Sequence, residues 1–232
     1  MKNTVPLTSL IILTRNEISG LKTVLSRIPF HTVSEVFAVD YQSTDGTIDF
    51  FRSHNIKVIH QKKPGRGHAF QLAAKHAKGR YLIFFSPDGN EDPADIPKLI
   101  DLLKNGNDLS IASRFMIGSR NEEDDQLIKF RAWANQCFSL IVKMLWGGNV
   151  SDTINGYRAI RKDVFNSLHL DADGFAIEFQ MSIRALKKGY AIQEIPTQEG
   201  NRIGGASTAY AISTGMSFLR FLARELWIGK RF

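Results

Sequence analysis

Short apolar runs and helically spaced segments alternate along the first half of the chain. Residues 7–14 (LTSLIILT), 35–40 (EVFAVD), 57–60 (KVIH), 81–85 (YLIFF) and 108–112 (DLSIA) have strand length and strand composition. Between them, residues 16–28 read as a helix that Pro29 ends. A second helix near 46–53 has Ser43, Thr44 and Asp45 as cap chemistry, and a third covers 67–78. Asp92 followed by Pro93 reads as an N-cap and a first-turn proline, opening a fourth helix to about Lys104. Apolar strands separated by helices predict βαβ units and a mostly parallel sheet flanked by helices.

After Arg114 the rhythm changes. Residues 117–127 are polar and acidic and predict a mobile loop. Residues 128–146 have helical periodicity and stop at Gly147-Gly148. A strand over 156–160, a helix over 175–188 closed by Gly189, and a last strand over 191–195 follow. Residues 203–219 carry no charge, but Gly204-Gly205 breaks the start and Arg220, Arg224 and Glu225 follow. That run is too short and too interrupted for a membrane span.

Composition narrows this picture only slightly. The 232 residues, 43% hydrophobic and 23% charged, suit one compact domain with a small C-terminal appendage. A lone Cys137 excludes a disulfide framework and a Cys-rich zinc site. The first residues carry no apolar signal core, so secretion is not expected.

Charge says more. The formal net charge is +7, unevenly placed. No Asp or Glu occurs from residue 50 to 87, where eight Lys or Arg fall; acids then cluster at 88–95 and 122–125. A nucleic acid, an anionic membrane and a phosphorylated small molecule each fit that pattern. Nucleic acid fits worst, because the basic stretch lacks interleaved surface aromatics and its strands read as buried.

Parallel α/β sheets bind ligands at the carboxyl ends of their strands. There this chain places Thr14-Arg15-Asn16-Glu17, then Asp40 with the Ser43-to-Thr47 turn, then Ser86-Pro87-Asp88-Gly89-Asn90-Glu91, then Ser113-Arg114. Asp40 and Asp45 have turn capping as their alternative use. Neither a GxGxxG nor a Walker loop is present. Lys63-Pro64-Gly65-Arg66-Gly67 is a basic turn leading into a helix; it suits a phosphate or a solvated loop.

The segments LTRNE, VDYQSTDGT, KPGRGHAF, FFSPDGNEDP, SRF, DTINGYRAIR and GFAIEFQM, in this order, resemble a family 2 glycosyltransferase of the GT-A fold. Within it they are most similar to the dolichyl- and polyprenyl-phosphate sugar synthases. The likeness covers roughly residues 8–207, with 208–232 left as a C-terminal amphipathic basic helix. It implies an α/β, Rossmann-like GT-A domain. It also implies inverting, metal-dependent transfer of a sugar from a UDP- or GDP-sugar to a lipid phosphate.

The resemblance points to Thr14, Arg15, Glu17 and Asp40 for the nucleotide. The family often has Pro-x-Tyr-Asn-Glu and Val-Asp-Asp; Leu13, Arg15 and Tyr41 depart from that pattern, so the base stays open. Its Asp-x-Asp metal motif is here Ser86-Pro87-Asp88. Asp88 and Asn90 are left to hold Mg²⁺ or Mn²⁺. Arg114, Arg131 and Asn135 match positions that grip the acceptor phosphate, and a guanidinium suits phosphate well. Asp152 lies in the D-x-x-x-G-[FY]-R segment. With a phosphate acceptor no base is needed, and it is expected to orient Arg158 or the sugar; with a hydroxyl acceptor it would be the base. Glu178 is the sugar candidate, and Gln180 must face away from it. Arg202, in an R-x-x-G-x-S loop, is expected to close over the diphosphate.

Two other uses remain open from these residues. One is transfer to a sugar hydroxyl of a glycan; the other is a degenerate, non-catalytic nucleotide-sugar-binding protein, which Ser86 suggests. Met216, Leu219, Leu222 and Leu226, flanked by Phe218, Phe221, Trp227 and Ile228, recur at helical spacing among basic residues. They suit docking on a membrane, packing on the domain, or a homo-oligomer contact. The apolar helix 132–146 is expected to share that surface. The expected location is the cytoplasm, peripheral on the cytoplasmic face of a membrane.

Overall fold

The computed structural model describes residues 7–204 and 211–232. Seven strands, β1 (Thr8–Thr14), β2 (Glu35–Asp40), β3 (Lys57–His60), β4 (Tyr81–Phe85), β5 (Leu109–Ser113), β6 (Arg158–Arg161) and β7 (Ile192–Pro196), form one sheet. Their order is β3-β2-β1-β4-β6-β5-β7, parallel except for β6, which runs antiparallel between β4 and β5. The helices are α1 (Ile18–Val24), α2 (Thr47–Ser53), α3 (Arg66–His76) and α4 (Asp95–Lys104), then α5 (Phe130–Trp146), α6 (Lys162–Ser167), α7 (Ala176–Lys187) and α8 (Ala211–Ile228).

Strands β1, β4 and β5 are buried along their whole length because both faces of the sheet are covered there, whereas the edge strands β3 and β7 are partly exposed. Alternate residues of β1 point to opposite cores: Ile11 and Leu13 join Leu82, Phe84, Phe70 and Phe179, whereas Leu10 and Ile12 join Ile83, Phe85, Ile96 and Leu99. Strand order reverses around β1, which has β2 on one side and β4 on the other. A crevice therefore opens beyond the carboxyl ends of β1 and β4.

Three local expectations change. Asp92 does not cap α4: it accepts from Ala94 N at 3.2 Å and pairs with Arg27, while the helix starts at Asp95 after one more turn. Residues 117–127 do not form a free loop. Asn121 and Asp124 make a capping box around a 3-10 turn, and Glu123 is buried, accepting from Ala132 N at 3.0 Å at the start of α5. Buried carboxylates need partners, and these acids find them in the neighbouring helix and its arginine. Helix α6 was not apparent from the sequence.

Helix α8 packs on α7 and α5, and the division drawn at 207/208 lies outside the described residues. Phe218 enters the core, with Phe221 and Leu222 against it. Glu225 is fully buried and pairs with Arg184 (2.9 Å) and Lys187 (2.6 Å) of α7, themselves buried. Met216, Leu219, Leu226 and Trp227 are exposed.

Candidate functional site

The rim loops after β1 and β2 are stitched together by short polar side chains. Asp40 is wholly buried and accepts from Thr14 Oγ1 (3.0 Å), Ser43 N (3.0 Å) and Ser43 Oγ. Asn16, at φ 57°, receives Thr44 N on its side chain at 2.8 Å and gives its own N–H to Ser43. Asp45 caps two helix starts at once, accepting from Thr47 N and Ile18 N at 3.0 Å each. Those hydrogen bonds hold its carboxyl below the usual range against the opposing effect of burial. Asp40 is thus enclosed behind the pocket wall, and Thr14, Arg15 and Tyr41 face the pocket. The Arg15 guanidinium lies over the Tyr41 ring, 5.2 Å from its centre.

Glu17, Asp88 and Arg202 meet at the crevice. Arg202 donates from Nη1 to Asp88 Oδ2 at 2.7 Å and from Nη2 to Glu17 Oε1. Burial pushes the Glu17 carboxyl up to about 7, Arg202 pulling the other way and Asp88 adding to the rise. Burial likewise raises the Asp88 carboxyl, again against Arg202. The loop carrying Asp88 reaches Glu17 because Gly20 has no side chain. A Cβ there would sit 2.0 Å from the Pro87 carbonyl oxygen and 2.9 Å from Asp88 Cα.

The donors around Asp88 suit a hard divalent ion. Asn90 Oδ1 is buried without a partner, while its Nδ2 donates to Glu122 at 3.2 Å. Two oxygen donors from one turn match the sparse protein ligation that Mg²⁺ accepts alongside substrate oxygens and water. Among the described residues no group of three His, Cys, Asp or Glu forms a self-contained metal cage. The set fits an ion shared with a phosphorylated substrate.

Beside Asp88, the serine in place of a carboxylate has a cationic neighbour. Arg66 donates to Ser86 Oγ at 3.3 Å and forms an ion pair with Glu178 through Nε. Lys62 to Gly65 of the basic turn are exposed, but Arg66 at its end is engaged: burial works to lower its basicity, and Glu178 and Glu91 more than offset this and keep it more basic than usual. Gly156 makes room for this pair, since a Cβ would lie 2.0 Å from Arg66 Nη2. Glu178 Oε2 is buried with no partner and lines the pocket, while Gln180 turns away to Asp171.

The acceptor-side candidates come together, the two arginines already paired. Asp152, fully buried, accepts from Arg114 Nε (2.7 Å) and Nη2 (3.0 Å) and from the backbone of Asn155 (3.0 Å). It therefore orients Arg114 and not Arg158; the buried Arg158 instead donates to Asn155 O and to Glu178 O (3.0 Å). Burial acts to raise the Asp152 carboxyl, but Arg114 and the backbone donors more than offset it and hold it low. Arg114 also lies 3.9 Å from Glu199. Arg131 donates to Glu123 (2.6 Å) and Glu122 (3.2 Å), so it is no bare surface charge. Asn135 sits one turn beyond it on the same face of α5.

Thr14, Arg15, Glu17, Asp88, Asn90, Arg114, Arg131, Asn135, Glu178 and Arg202 line one cavity of about 490 Å³, whereas Asp40, Asp152 and Arg158 do not. Sequence reasoning placed Glu91 on the rim without a role, and missed Glu199 and the wall supplied by Thr214, Gly215 and Phe218 of α8. Glu199 had no motif. The α8 wall was hidden in a run that reads only as apolar.

Sheet order, rim carboxylates and flanking helices define an α/β protein of the GT-A class. The chain belongs to glycosyl transferase family 2, whose family model matches residues 9–168. An undecaprenyl-phosphate mannosyltransferase of Micrococcus luteus is 31% identical over 199 residues, covering 80% of each chain. The dolichol-phosphate mannosyltransferase of Pyrococcus furiosus is 28% identical over 96% of this chain. The glycosyltransferase AglJ of Haloferax volcanii is 27% identical over 84% of this chain. The chain spans only 64% and 63% of the length of the last two. Among solved structures, glucosyl-3-phosphoglycerate synthase of Mycobacterium tuberculosis, in complex with Mn²⁺, UDP and phosphoglyceric acid, superposes with a TM-score of 0.77. It is 18% identical, covering 94% of this chain and 78% of that one, and is similar in fold.

Proposed function

We propose that the chain transfers a sugar from a UDP- or GDP-sugar to a polyprenyl or dolichyl phosphate, with inversion. The observation that carries this reading is the Arg114–Asp152 pair. The one carboxylate that the family pattern offers as a base is buried, ion-paired and held below the usual carboxylate range. Such a group takes up a proton poorly, so an acceptor that arrives ionised suits the site better than a hydroxyl.

In this reading Thr14, Arg15, Glu17 and Tyr41 bind the nucleotide, and Asp40 fixes the loop behind them. Asp88 and Asn90 hold Mg²⁺ or Mn²⁺, which offsets charge on the diphosphate when bound. Arg202 contacts the diphosphate and stabilises the charge that develops as the nucleotide departs. Glu178, kept in place by Arg66, accepts a hydrogen bond from a sugar hydroxyl on its free oxygen. Arg114 and Arg131, with Asn135, orient the acceptor phosphate. One of its oxygens attacks the anomeric carbon, and the bond from that carbon to the diphosphate oxygen breaks, its electron pair leaving with the nucleoside diphosphate.

No helix among the described residues is long and apolar enough to cross a membrane. Exposed Phe130, Trp133 and Met144 on α5 and Met216, Leu219 and Trp227 on α8 suit a surface resting on lipid at the cytoplasmic face. The relatives named for polyprenyl and dolichol phosphates support the same acceptor.

The test is transfer of radiolabelled sugar from UDP- and GDP-sugars to undecaprenyl phosphate in detergent, with Mn²⁺ or Mg²⁺. A lipid-linked product is expected. Transfer to free sugar hydroxyls with none to any polyprenyl phosphate would overturn the reading.

A further inference from the structure

One carboxylate between the metal residues and the acceptor arginines has no task in the proposed chemistry. Glu122 stands in the 3-10 turn before α5, and its partly exposed side chain lines the cavity. Its Oε2 accepts from Asn90 Nδ2 at 3.2 Å and from Arg131 Nη2 at 3.2 Å. A single oxygen thus touches a candidate ligand of the ion and a candidate ligand of the acceptor phosphate.

The contact with Asn90 has a definite chemical sense. An ionised carboxylate only accepts, so it must face the amide nitrogen, and the amide oxygen turns the other way. That oxygen, Oδ1, is the one buried without a partner. Such an atom is unfavourable until something satisfies it, and a hard cation would do so. The contact with Arg131 is an ion pair, and an incoming phosphate competes with Glu122 for the same guanidinium.

The backbone beneath both residues is pinned by the segment that follows β7. Glu199 Oε2 accepts from Glu122 N at 2.9 Å, and Gly200 N donates to Asn90 O at 2.8 Å. Gly200 permits this approach, since a Cβ there would lie 2.6 Å from the Gly89 carbonyl oxygen.

We propose that Glu122 is a positioning residue that couples the two sites. It orients Asn90 for the divalent ion, and it strengthens that hold when an acceptor phosphate draws Arg131 away. This rests on the reading that Asp88 and Asn90 hold the ion and Arg131 the acceptor phosphate. As Arg131 turns to the phosphate, Glu122 keeps its charge with one cation fewer beside it. It then polarises the Asn90 amide more strongly and adds negative potential at the ion. Linkage makes the effect reciprocal, so metal with nucleotide also tightens the acceptor phosphate.

The test measures Mn²⁺ affinity by electron paramagnetic resonance, with UDP and with GDP, in the absence and presence of geranyl phosphate. Wild type is compared with Glu122→Ala, Glu122→Gln and Glu123→Gln, each melted thermally to show that it is folded. Glu123 also holds Arg131, at 2.6 Å, but its other oxygen serves Ala132 N, so its variant reports the loss of arginine pairing alone. In wild type, geranyl phosphate is expected to tighten Mn²⁺ about fivefold. Glu122→Ala should weaken Mn²⁺ about tenfold, the usual scale for a residue that orients a metal ligand. It should also cut the enhancement to about twofold or less. Glu122→Gln keeps an oxygen for Asn90 without the charge, so it should lose the enhancement and less of the affinity. Glu123→Gln should bind Mn²⁺ as wild type does. Wild-type Mn²⁺ affinity or an undiminished enhancement in Glu122→Ala would overturn the coupling, as would an equal loss of affinity in folded Glu123→Gln. A wild type that binds no Mn²⁺ with either nucleotide would instead overturn the metal reading. One that binds Mn²⁺ but ignores geranyl phosphate would overturn the acceptor role of Arg131.

Discussion

Arg202 donates to Asp88 at 2.7 Å, so the carboxylate best placed for a divalent ion already holds a cation. The same guanidinium bridges to Glu17. In the proposed reading, a metal held by Asp88 would compete with Arg202 for that carboxylate and free the guanidinium for the diphosphate. Replacing Arg202 with alanine should tighten Mn²⁺ binding in the absence of nucleotide, read by electron paramagnetic resonance. Turnover should nonetheless fall about 10²- to 10³-fold, the loss typical of one removed charge-stabilising donor. Unchanged Mn²⁺ affinity would remove the competition.

The Arg114–Asp152 pair separates two acceptor chemistries. Asp152→Asn keeps the shape and removes the charge that aligns Arg114. The expected outcome is a KM for the lipid phosphate raised about tenfold, with a smaller change in kcat. Stability should drop by about 3 kcal/mol as Arg114 loses its buried partner. A collapse of kcat at constant KM would make Asp152 the base and favour a hydroxyl acceptor.

Glu225 ties the last helix to α7 by neutralising two buried cations. Glu225→Ala strips Lys187 of its carboxylate and leaves Arg184 only Asp171, 3.6 Å away, and should cost about 3–5 kcal/mol. For a chain of this size that lowers the melting temperature by roughly 10 °C. Because α8 also walls the cavity, acceptor turnover should fall at temperatures where the sheet is still folded, as circular dichroism would report.

Glu17 gives a pH signature. Its carboxyl titrates near 7 in the folded protein, because of burial, against an ordinary value of 4.5. The folded state therefore binds more protons than the unfolded chain between those values, and stability declines as pH rises through that window. Glu17→Gln removes the titration. Between pH 5 and 7.5 wild type should lose melting temperature relative to Glu17→Gln, the difference levelling off above 7.5. Parallel curves for the two proteins would contradict the raised value.

The central parallel strands were legible because β1, β4 and β5 are short apolar runs buried on both faces, and the rim residues follow from where those runs stop. Thr14, Glu17, Asp88 and Arg114 could be picked out in this way, with the family resemblance supplying their roles and Arg202. Partnerships were less legible. Nothing local in Asp152 announces that it serves Arg114 and not the nearer Arg158, for that choice depends on the antiparallel placement of β6. Glu225 interrupts an apolar face in sequence and reads as a surface charge. Only the packing of α8 against Arg184 and Lys187 shows it as the centre of a buried network. Asp40 illustrates the converse, a motif residue whose enclosure by Thr14 and Ser43 turns it into a support for its loop.

The antiparallel strand β6 has a wider consequence. The chain leaves the sheet after Ser113 and re-enters at Arg158, and these strands are direct neighbours: Ala112 N donates to Tyr157 O at 3.0 Å. Everything between, including Arg131, Asn135 and the whole of α5, is one excursion that begins and ends at a single point on the rim. Lengthening or rebuilding such a segment adds little closure entropy and leaves the register of β1, β2 and β4 untouched. In the proposed reading the acceptor residues of this segment would form a cassette that can be exchanged while the nucleotide residues at the ends of β1 and β2 stay in place.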